Sequence, residues 1–106
     1  MKKKYLVTGG SGFIGSALVK KLLSEGHSVT VFDNNSRGNL RRLEQVIDDI
    51  EFIEGDIRDP EEVLNACKGV DAVCHLAFVN GTKFFYELPE LVLEVGVKGM
   101  MNILDA

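Results

Sequence analysis

The sequence lacks the features that mark nucleic-acid-binding proteins and membrane-spanning proteins. It has 12 lysines and arginines against 16 aspartates and glutamates, a net charge of −4, and its one basic run is Lys2–Lys4. Binding of nucleic acid needs a face of clustered positive charge, so this composition argues against a nucleic-acid partner. No apolar run reaches the roughly 18 residues that mark a transmembrane helix, so we expect no membrane partner either.

Cysteine is scarce as well. Cys67 and Cys74 are the two cysteines of the chain, and their spacing matches no metal-binding pattern. We therefore expect no metal site and interpret both thiols as small buried apolar groups, which is consistent with a reducing, cytoplasmic location. Repeats, linkers and low-complexity segments are also lacking, and 106 residues allow one domain at most.

The chain does contain a regular alternation of strand patterns and helix patterns. The strand patterns cover residues 3–8, 27–32, 50–54 and 70–76. The helix patterns cover residues 13–25, 40–47, 59–68 and 89–106. Alternation of this kind predicts an α/β fold, a doubly wound parallel sheet with helices on both faces. We expect the four strands in the order 3-2-1-4.

A turn dense in glycine separates the first strand pattern from the first helix pattern. It fits both Gly10-x-Gly12-x-x-Gly15 and Gly9-x-x-Gly12-x-x-Gly15, and Ser16 stands where a P-loop needs lysine. Gly9 or Gly10 allows a tight turn, Gly12 lets the backbone approach a diphosphate, and Gly15 lets the helix pack closely on the sheet. The turn therefore predicts a pyrophosphate site in a Rossmann-type fold.

An acidic residue stands at the end of the second strand pattern. A carboxylate at Asp33 can accept hydrogen bonds from both ribose hydroxyls of an adenosine, and it would repel a 2′-phosphate. The alternative is a plain turn or cap residue. Arg37 is a signal in the other direction, because an arginine in this loop can meet a phosphate. The pattern favours NAD as the cofactor over NADP.

Several sequence elements in a fixed order carry a family resemblance. They are Thr8–Gly15, Phe32–Asn34, Glu54–Asp59, His75–Ala77 and Gly96–Gly99. On these residues the whole chain resembles the N-terminal portion of the extended short-chain dehydrogenase/reductases, especially the NAD-dependent sugar-nucleotide epimerases and dehydratases. The resemblance implies that residues 1–106 form the N-terminal part of a Rossmann domain that binds NAD.

The resemblance also implies cofactor contacts at the ends of all four strands. The pyrophosphate would meet the glycine loop, at Gly9, Gly12, Phe13, Ile14 and Gly15. The adenosine ribose would meet Asp33, Asn34, Asn35, Ser36, Arg37 and Gly38. The adenine would lie between Asp56 and Ile57, and Leu76, Ala77 and Phe78 would line the way to the nicotinamide ribose. A strand-end turn is the alternative role for Asp56, and the family uses the position of His75 structurally.

Two positions depart from the family pattern. Phe78 replaces the second small residue of an HLAA element, and a bulky side chain there would alter the cofactor or substrate pocket. Gly96 replaces an asparagine that normally supports the active site. The loss of this asparagine puts the standard chemistry of the family in doubt.

The catalytic residues of the family are not found in the chain. The family uses a Tyr-x-x-x-Lys pair, in which tyrosine is the acid/base and lysine lowers its pKa, while hydride moves between a sugar and NAD. Gly9 and Glu90 stand four residues after Tyr5 and Tyr86, the two tyrosines. We therefore expect no catalytic residue and no turnover, with a sugar nucleotide bound only by a longer parent. The last helix pattern reaches Ala106 without a stop signal, which we interpret as a truncated sheet.

Two further functions stay open, as does the state of assembly. The chain could be a non-catalytic dinucleotide-binding sensor, or a folding and assembly fragment without affinity for a ligand. An exposed edge at the fourth strand and the apolar last helix predict a homo-oligomer. Alternatively, the aromatic residues 84–86 fold back and cover that surface.

Overall fold

The core of the fold is a four-stranded parallel sheet. The computed structural model describes residues 2–34, 40–77, 90 and 94–106. Its strands are β1 (Lys4–Thr8), β2 (Ser28–Asp33), β3 (Ile50–Glu54) and β4 (Ala72–His75). They lie in the order β3-β2-β1-β4 with every neighbouring pair parallel. This order confirms the prediction of a Rossmann-type sheet.

Helical segments follow the strands. They are α1 (Phe13–Ser24), a 3₁₀ helix (Leu40–Asp49), α2 (Pro60–Cys67), a π-helical turn (Glu94–Lys98) and α3 (Gly99–Asp105). Gly26 and Gly69 follow α1 and α2 with φ angles of +88° and +73°, the left-handed conformation that ends a helix. Both predicted helix ends are confirmed, whereas the segment predicted as a short helix at 40–47 is a longer 3₁₀ helix.

Two apolar clusters cover the two faces of the sheet, because neighbouring residues of a strand point to opposite faces. One cluster joins β1 and β2 to α2 and the π-helical turn: Leu6, Phe32, Ile57, Val63, Ala66 and Val95. The other joins the strands to α1 and the 3₁₀ helix: Val7, Val19, Leu22, Val29, Val31 and Leu43. Helices on both faces confirm the doubly wound architecture.

The buried face of α1 differs from the prediction. The apolar spacing predicts a face of Ile14, Ala17, Leu18 and Leu22. The buried residues are Gly15, Ser16, Val19 and Leu22, and the Ile14 side chain is 71% exposed. Gly15 packs against the glycine loop, so the helix is rotated to bury its small residues first and to leave Ile14 at the carboxyl edge of the sheet.

The sequence Asp59-Pro60-Glu61-Glu62 predicts a helix that is capped by Asp59 and has Glu62 placed for a capping box. Helix α2 begins at this cap, but Glu62 has another partner. The Asp59 carboxylate accepts hydrogen bonds from the backbone N–H groups of Glu61 and Glu62, at 3.0 and 3.2 Å, and Pro60 is the first residue of the helix. The Glu62 carboxylate does not close a capping box on Asp59. It accepts the Asp56 N–H at 3.0 Å instead, which ties α2 to the loop after β3.

Strand β4 is less buried than its apolar sequence predicts. Its pattern at 70–76 is typical of a strand covered on both faces. Ala72, Cys74 and His75 are half-buried, and 36% of Val73 is exposed. The reason is its place at one end of the sheet order, where β1 is its strand neighbour.

Candidate functional site

The loops that follow the four strands meet along one edge of the sheet. Gly9 N–H donates to the Phe32 carbonyl at 2.9 Å, and Gly55 N–H donates to the Asp33 carbonyl at 3.2 Å. On the other side of β1, the Leu76 N–H donates to the Thr8 carbonyl, the last of the strand, at 3.1 Å. The carboxyl edge of an open α/β sheet is where ligands bind. The described members of the sequence-predicted site lie along this edge, at a strand end, in the loops and in the first turn of α1.

The glycine loop is shaped by close backbone contacts. Gly9 has a φ of +72° and makes the tight turn. A Cβ atom on Gly15 would overlap the Gly9 carbonyl oxygen and would lie 2.9 Å from the Gly10 Cα. A Cβ on Gly10 would lie 2.6 Å from Cγ1 of Val31. The tight turn was assigned to Gly9 or Gly10, and the structure selects Gly9. The close contact of Gly15 is with the loop, not with the sheet as expected.

The start of α1 faces the same edge. Its cap residue is Gly12, no acidic residue lies in the first turn, and no side chain of the described residues caps it. The side chains of Phe13 and Ile14 are 80% and 71% exposed. The first N–H groups of a helix lack partners within the helix and lie at the positive end of its dipole, so they suit an anion.

The Asp33 carboxylate is fastened to the glycine loop. Asp33 is 8% exposed, and its Oδ2 atom accepts the Ser11 backbone N–H at 3.0 Å as well as the Ser11 hydroxyl. The Ser11 carbonyl accepts a bond from Nη1 of Arg42 at 3.4 Å. The sequence interpretation missed Ser11, although a small hydroxyl residue inside a glycine turn was a usable signal. Asn34 follows as an exposed residue.

Five residues of the predicted site fall outside the described part of the chain. Asn35, Ser36, Arg37 and Gly38 lie outside the described residues, as does Phe78 after β4. Within the described part, Leu76 is 42% exposed and Ala77 is half-buried. Both stand beside the glycine loop, since a Cβ on Gly9 would lie 3.0 Å from the Ala77 nitrogen and the Leu76 carbonyl. The loop after β4 therefore continues the same site.

The loop after β3 carries an ion pair beside an open cavity. The Oδ1 atom of Asp56 accepts the Arg58 backbone N–H at 2.9 Å and Nε–H at 3.0 Å, while Oδ2 accepts Nη2–H at 2.6 Å. The hydrogen bonds from the Arg58 guanidinium hold the pKa of the Asp56 carboxyl below its usual value. The cavity, of about 460 Å³, is lined by Asp56, Arg58, Asp59 and Pro60.

Ile57 takes a different position from its neighbour. Its side chain is 5% exposed and packs in the core beside Val63. A Cβ on Gly99 would lie 2.8 Å from Ile57 Cγ2, and the Ile57 carbonyl accepts a bond from Nδ2 of Asn102 at 3.0 Å. The predicted adenine contact of Ile57 is thereby restricted to its backbone, because the side chain is buried against α3.

A buried hydroxyl joins β1 to the loop after β4. The Thr8 side chain is fully buried, and its Oγ1 atom accepts the N–H groups of Leu76 and Ala77 at 2.9 and 3.1 Å. The same oxygen lies 2.7 Å from Nδ1 of His75. Burial lowers the pKa of the His75 imidazole. His75 is thus engaged in holding the strand ends together.

The described part of the chain has neither a metal-binding cluster nor a membrane-spanning helix. No group of three or more His, Cys, Asp and Glu side chains in that part of the chain is placed to hold a metal ion. None of its helices has the length and apolar character needed to cross a membrane.

Comparison with known protein families gives a match over nearly the whole chain. A sequence model of the NAD dependent epimerase/dehydratase family matches residues 5–106. The chain belongs to the NAD-dependent epimerase/dehydratase family. The match runs from β1 through α3 and includes the glycine loop, Asp33, Asp56 and the His75–Ala77 segment, on which the resemblance rested.

Curated and structural relatives agree on this family. The chain is 38% identical over 106 residues to a UDP-N-acetyl-alpha-D-glucosaminuronate decarboxylase of Bacillus cytotoxicus, covering all of this chain and 33% of that protein. It is 38% identical to the Thermus thermophilus UDP-glucose 4-epimerase solved in complex with NAD, with a TM-score of 0.86 over 96% of this chain and 32% of that one. An epimerase of Methanothermobacter thermautotrophicus gives 0.91 at 34% identity, over 98% of this chain and 31% of its own. The chain thus spans about the N-terminal third of these epimerase/dehydratase family members.

Proposed function

We propose that residues 1–106 are the NAD-binding Rossmann portion of an enzyme that acts on a sugar nucleotide. The observation that carries this proposal is the buried Asp33 carboxylate, held by the backbone and hydroxyl of Ser11 at the end of β2. A nearly buried acid directed at a glycine loop is the arrangement that accepts ribose hydroxyls in dinucleotide-binding folds. A relative of the same fold was solved with NAD.

The fit to a dinucleotide also rests on the glycine loop. Because the first turn of α1 is uncapped by the described side chains, the Phe13 and Ile14 N–H groups are suited to a pyrophosphate. Gly12 has no side chain to obstruct the approach, and a Cβ there would meet the Gly9 carbonyl oxygen at 3.3 Å. The adenine would occupy the cavity beside Asp56, and the nicotinamide side would lie toward Leu76 and Ala77.

Preference for NAD over NADP follows from charge. In this proposal the Asp33 carboxylate accepts a hydrogen bond from the 2′-hydroxyl of adenosine, and the same negative charge repels a 2′-phosphate. Arg42 lies near the loop through its bond to the Ser11 carbonyl, and Arg37 belongs to the undescribed segment. These cations are the groups that would offset Asp33 if NADP were the cofactor.

The reaction belongs to the longer protein in this proposal. NAD, when bound, supplies a hydride acceptor and donor. The printed residues contain no Tyr-x-x-x-Lys pair, so we expect them to bind the dinucleotide without turning it over. The Bacillus cytotoxicus decarboxylase and the Thermus thermophilus epimerase are both named for UDP-sugars, which supports a sugar nucleotide as the substrate class that we propose for the parent. A sensor module and a fragment without ligand affinity remain the alternatives.

We also propose a cytoplasmic protein that self-associates. Cys67 and Cys74 are both free, which suits a reducing compartment, although both are half-buried and not fully buried as predicted. The π-helical turn and α3 expose Val97, Met101 and Leu104, at 58%, 57% and 76%, and the spacing of these residues places them on one helical face. That face, or the edge at β4, is where a second copy would pack. A monomer by light scattering at micromolar concentration would contradict this part of the proposal.

Calorimetric titration tests the proposed cofactor. NAD and ADP should both bind to the wild-type protein, and NADP should bind more weakly. Asp33→Ala should weaken the binding of NAD. The control Asp105→Ala removes the same charge from an exposed site on α3 and should leave NAD binding unchanged. Unchanged NAD binding in Asp33→Ala would refute the ribose assignment. Absence of binding by all three nucleotides would favour the fragment without ligand affinity.

A further inference from the structure

Arg58 encloses the carboxylate of a residue two positions before it. Its backbone N–H and Nε–H donate to Asp56 Oδ1, and its Nη2–H and Nε–H donate to Oδ2, at 2.6 to 3.1 Å. Both side chains are 34% exposed, at the mouth of the cavity that they line. A fork of this kind fixes the plane of a carboxylate as well as its charge.

The rest of the loop fixes the other end of Asp56. Its backbone N–H donates to the Glu62 carboxylate at 3.0 Å. Glu62 stands in the first turn of α2, whose start is capped by Asp59. The charged groups that face the Asp56 carboxylate are thus Arg58 and, more weakly, Lys98, with the anion of Glu62 on its backbone side. Main chain and side chain of Asp56 are therefore both held.

We propose that Arg58 is a positioning residue that orients the Asp56 carboxylate to select adenine over a 6-oxo purine. This inference rests on the proposed function, because it assumes that the adenine of NAD occupies the cavity. An ionised carboxylate can only accept hydrogen bonds. The 6-amino group of adenine donates, whereas the 6-oxygen of hypoxanthine accepts and would face a like partner. Selection between them then depends on the direction of the carboxylate.

The alternative role for the Arg58 guanidinium is to block the oxygens of the Asp56 carboxylate, without orienting it for the base. The base would then have to displace the guanidinium, and removal of Arg58 would tighten NAD binding. The bond from the Arg58 backbone N–H to Oδ1 closes a turn within the main chain and does not involve the guanidinium, so we expect the carboxylate to stay in place when the side chain is removed. The side-chain bonds from Arg58 then fix the orientation of the Asp56 carboxylate, which the turn alone does not determine.

The test compares NAD with nicotinamide hypoxanthine dinucleotide by calorimetry. The wild-type protein should prefer NAD, and Asp56→Asn should lose the preference, because an amide both donates and accepts. Arg58→Ala should reduce the preference by about tenfold, the effect of one charge-assisted hydrogen bond, mainly by weakening NAD. Arg58→Lys, which keeps the charge and loses the fork, should behave like Arg58→Ala. An unchanged preference in Arg58→Ala, tighter NAD binding, or full rescue by lysine would overturn the inference.

A second measurement needs no nucleotide. Titration of the Asp56 side-chain carboxyl by carbon NMR should give a pKa below the usual range in the wild-type protein and a higher pKa in Arg58→Ala. An unchanged pKa would overturn the inference whether or not NAD binds. Failure of the wild-type protein to bind NAD would instead remove the proposed function, so the two failures are distinguishable.

Discussion

The hydroxyl oxygen of Thr8 and the Nδ1 atom of His75 lie 2.7 Å apart. Because that oxygen already accepts two backbone N–H groups, from Leu76 and Ala77, its own proton is the one available for the bond to Nδ1. His75 must then be neutral, with its proton on Nε2. The end of β1, which leads into the glycine loop, is in this way fixed to the end of β4 and the loop that follows it.

Removal of the Thr8 hydroxyl should destabilise the fold. Thr8→Val preserves the shape of the side chain but removes the acceptor of the Ala77 N–H, while the Leu76 N–H keeps its bond to the Thr8 carbonyl. We expect the free energy of unfolding to fall by about 1–3 kcal/mol, the usual cost of an unsatisfied buried group. Urea denaturation measures it. Thr8→Ser keeps the hydroxyl and is the matched control, and equal stability of the valine and threonine proteins would contradict the role of Thr8.

The neutral state of His75 predicts a dependence of stability on pH. Burial lowers its folded-state pKa below the ordinary 6.5, so the unfolded chain binds more protons in the interval between the two values. Stability attributable to His75 is therefore complete above pH 6.5 and is lost as pH falls through that interval. His75→Gln should show a flatter profile from pH 7 to 5 than wild type. Identical slopes in the two proteins would argue that His75 does not titrate in this way.

Gly15 and Gly12 should respond differently to a methyl group. Gly15→Ala forces overlap with the Gly9 carbonyl, and we expect a loss of about 1–3 kcal/mol in the free energy of unfolding, typical of overpacking. Gly12→Ala meets the same oxygen at 3.3 Å and should change stability little while weakening NAD binding. Thermal unfolding and calorimetry on both variants separate the two roles. Similar NAD binding by Gly12→Ala and wild type would show that the pyrophosphate does not approach there.

The charge of Asp33 should decide between NAD and NADP. Asp33→Asn retains an oxygen that can accept the Ser11 bonds, while it removes the repulsion of a 2′-phosphate. We expect NAD to bind more weakly and the preference for NAD over NADP to fall by about tenfold, equivalent to about 1.4 kcal/mol. Dissociation constants for both dinucleotides measure it. A preference that survives the substitution would place selectivity elsewhere, with Arg37 and Arg42 as the next candidates.

The sheet could be predicted from the sequence because its signals are local. The alternation of apolar patterns defined four strands and their order, and Gly26 and Gly69 marked the helix ends. The predicted buried face of α1 was wrong because apolar spacing alone favoured Ile14. The contact that decides the rotation is between Gly15 and the backbone of Gly9, and no hydrophobic pattern encodes it.

The candidate site could be predicted only in part. Asp33 and the glycines stood in a recognisable motif, but their partners come from distant parts of the chain. Ser11 and Asp33 are 22 residues apart, and Thr8 and His75 are 67 apart. The exception is Arg58, two positions after Asp56, because a pairing of opposite charges at this short spacing can be predicted from the sequence.

One measurement tests the central claim, that this chain binds NAD along the carboxyl edge of its sheet. Amide resonances of the nitrogen-15-labelled protein are followed by NMR during titration with NAD. The account predicts saturable shifts in Ser11, Phe13, Ile14 and Asn34, with further shifts in the loop at Asp56, while amides of the opposite edge, such as His27 and Gly69, stay unchanged. Absence of shifts at millimolar NAD, or shifts that cluster away from the glycine loop, would contradict it.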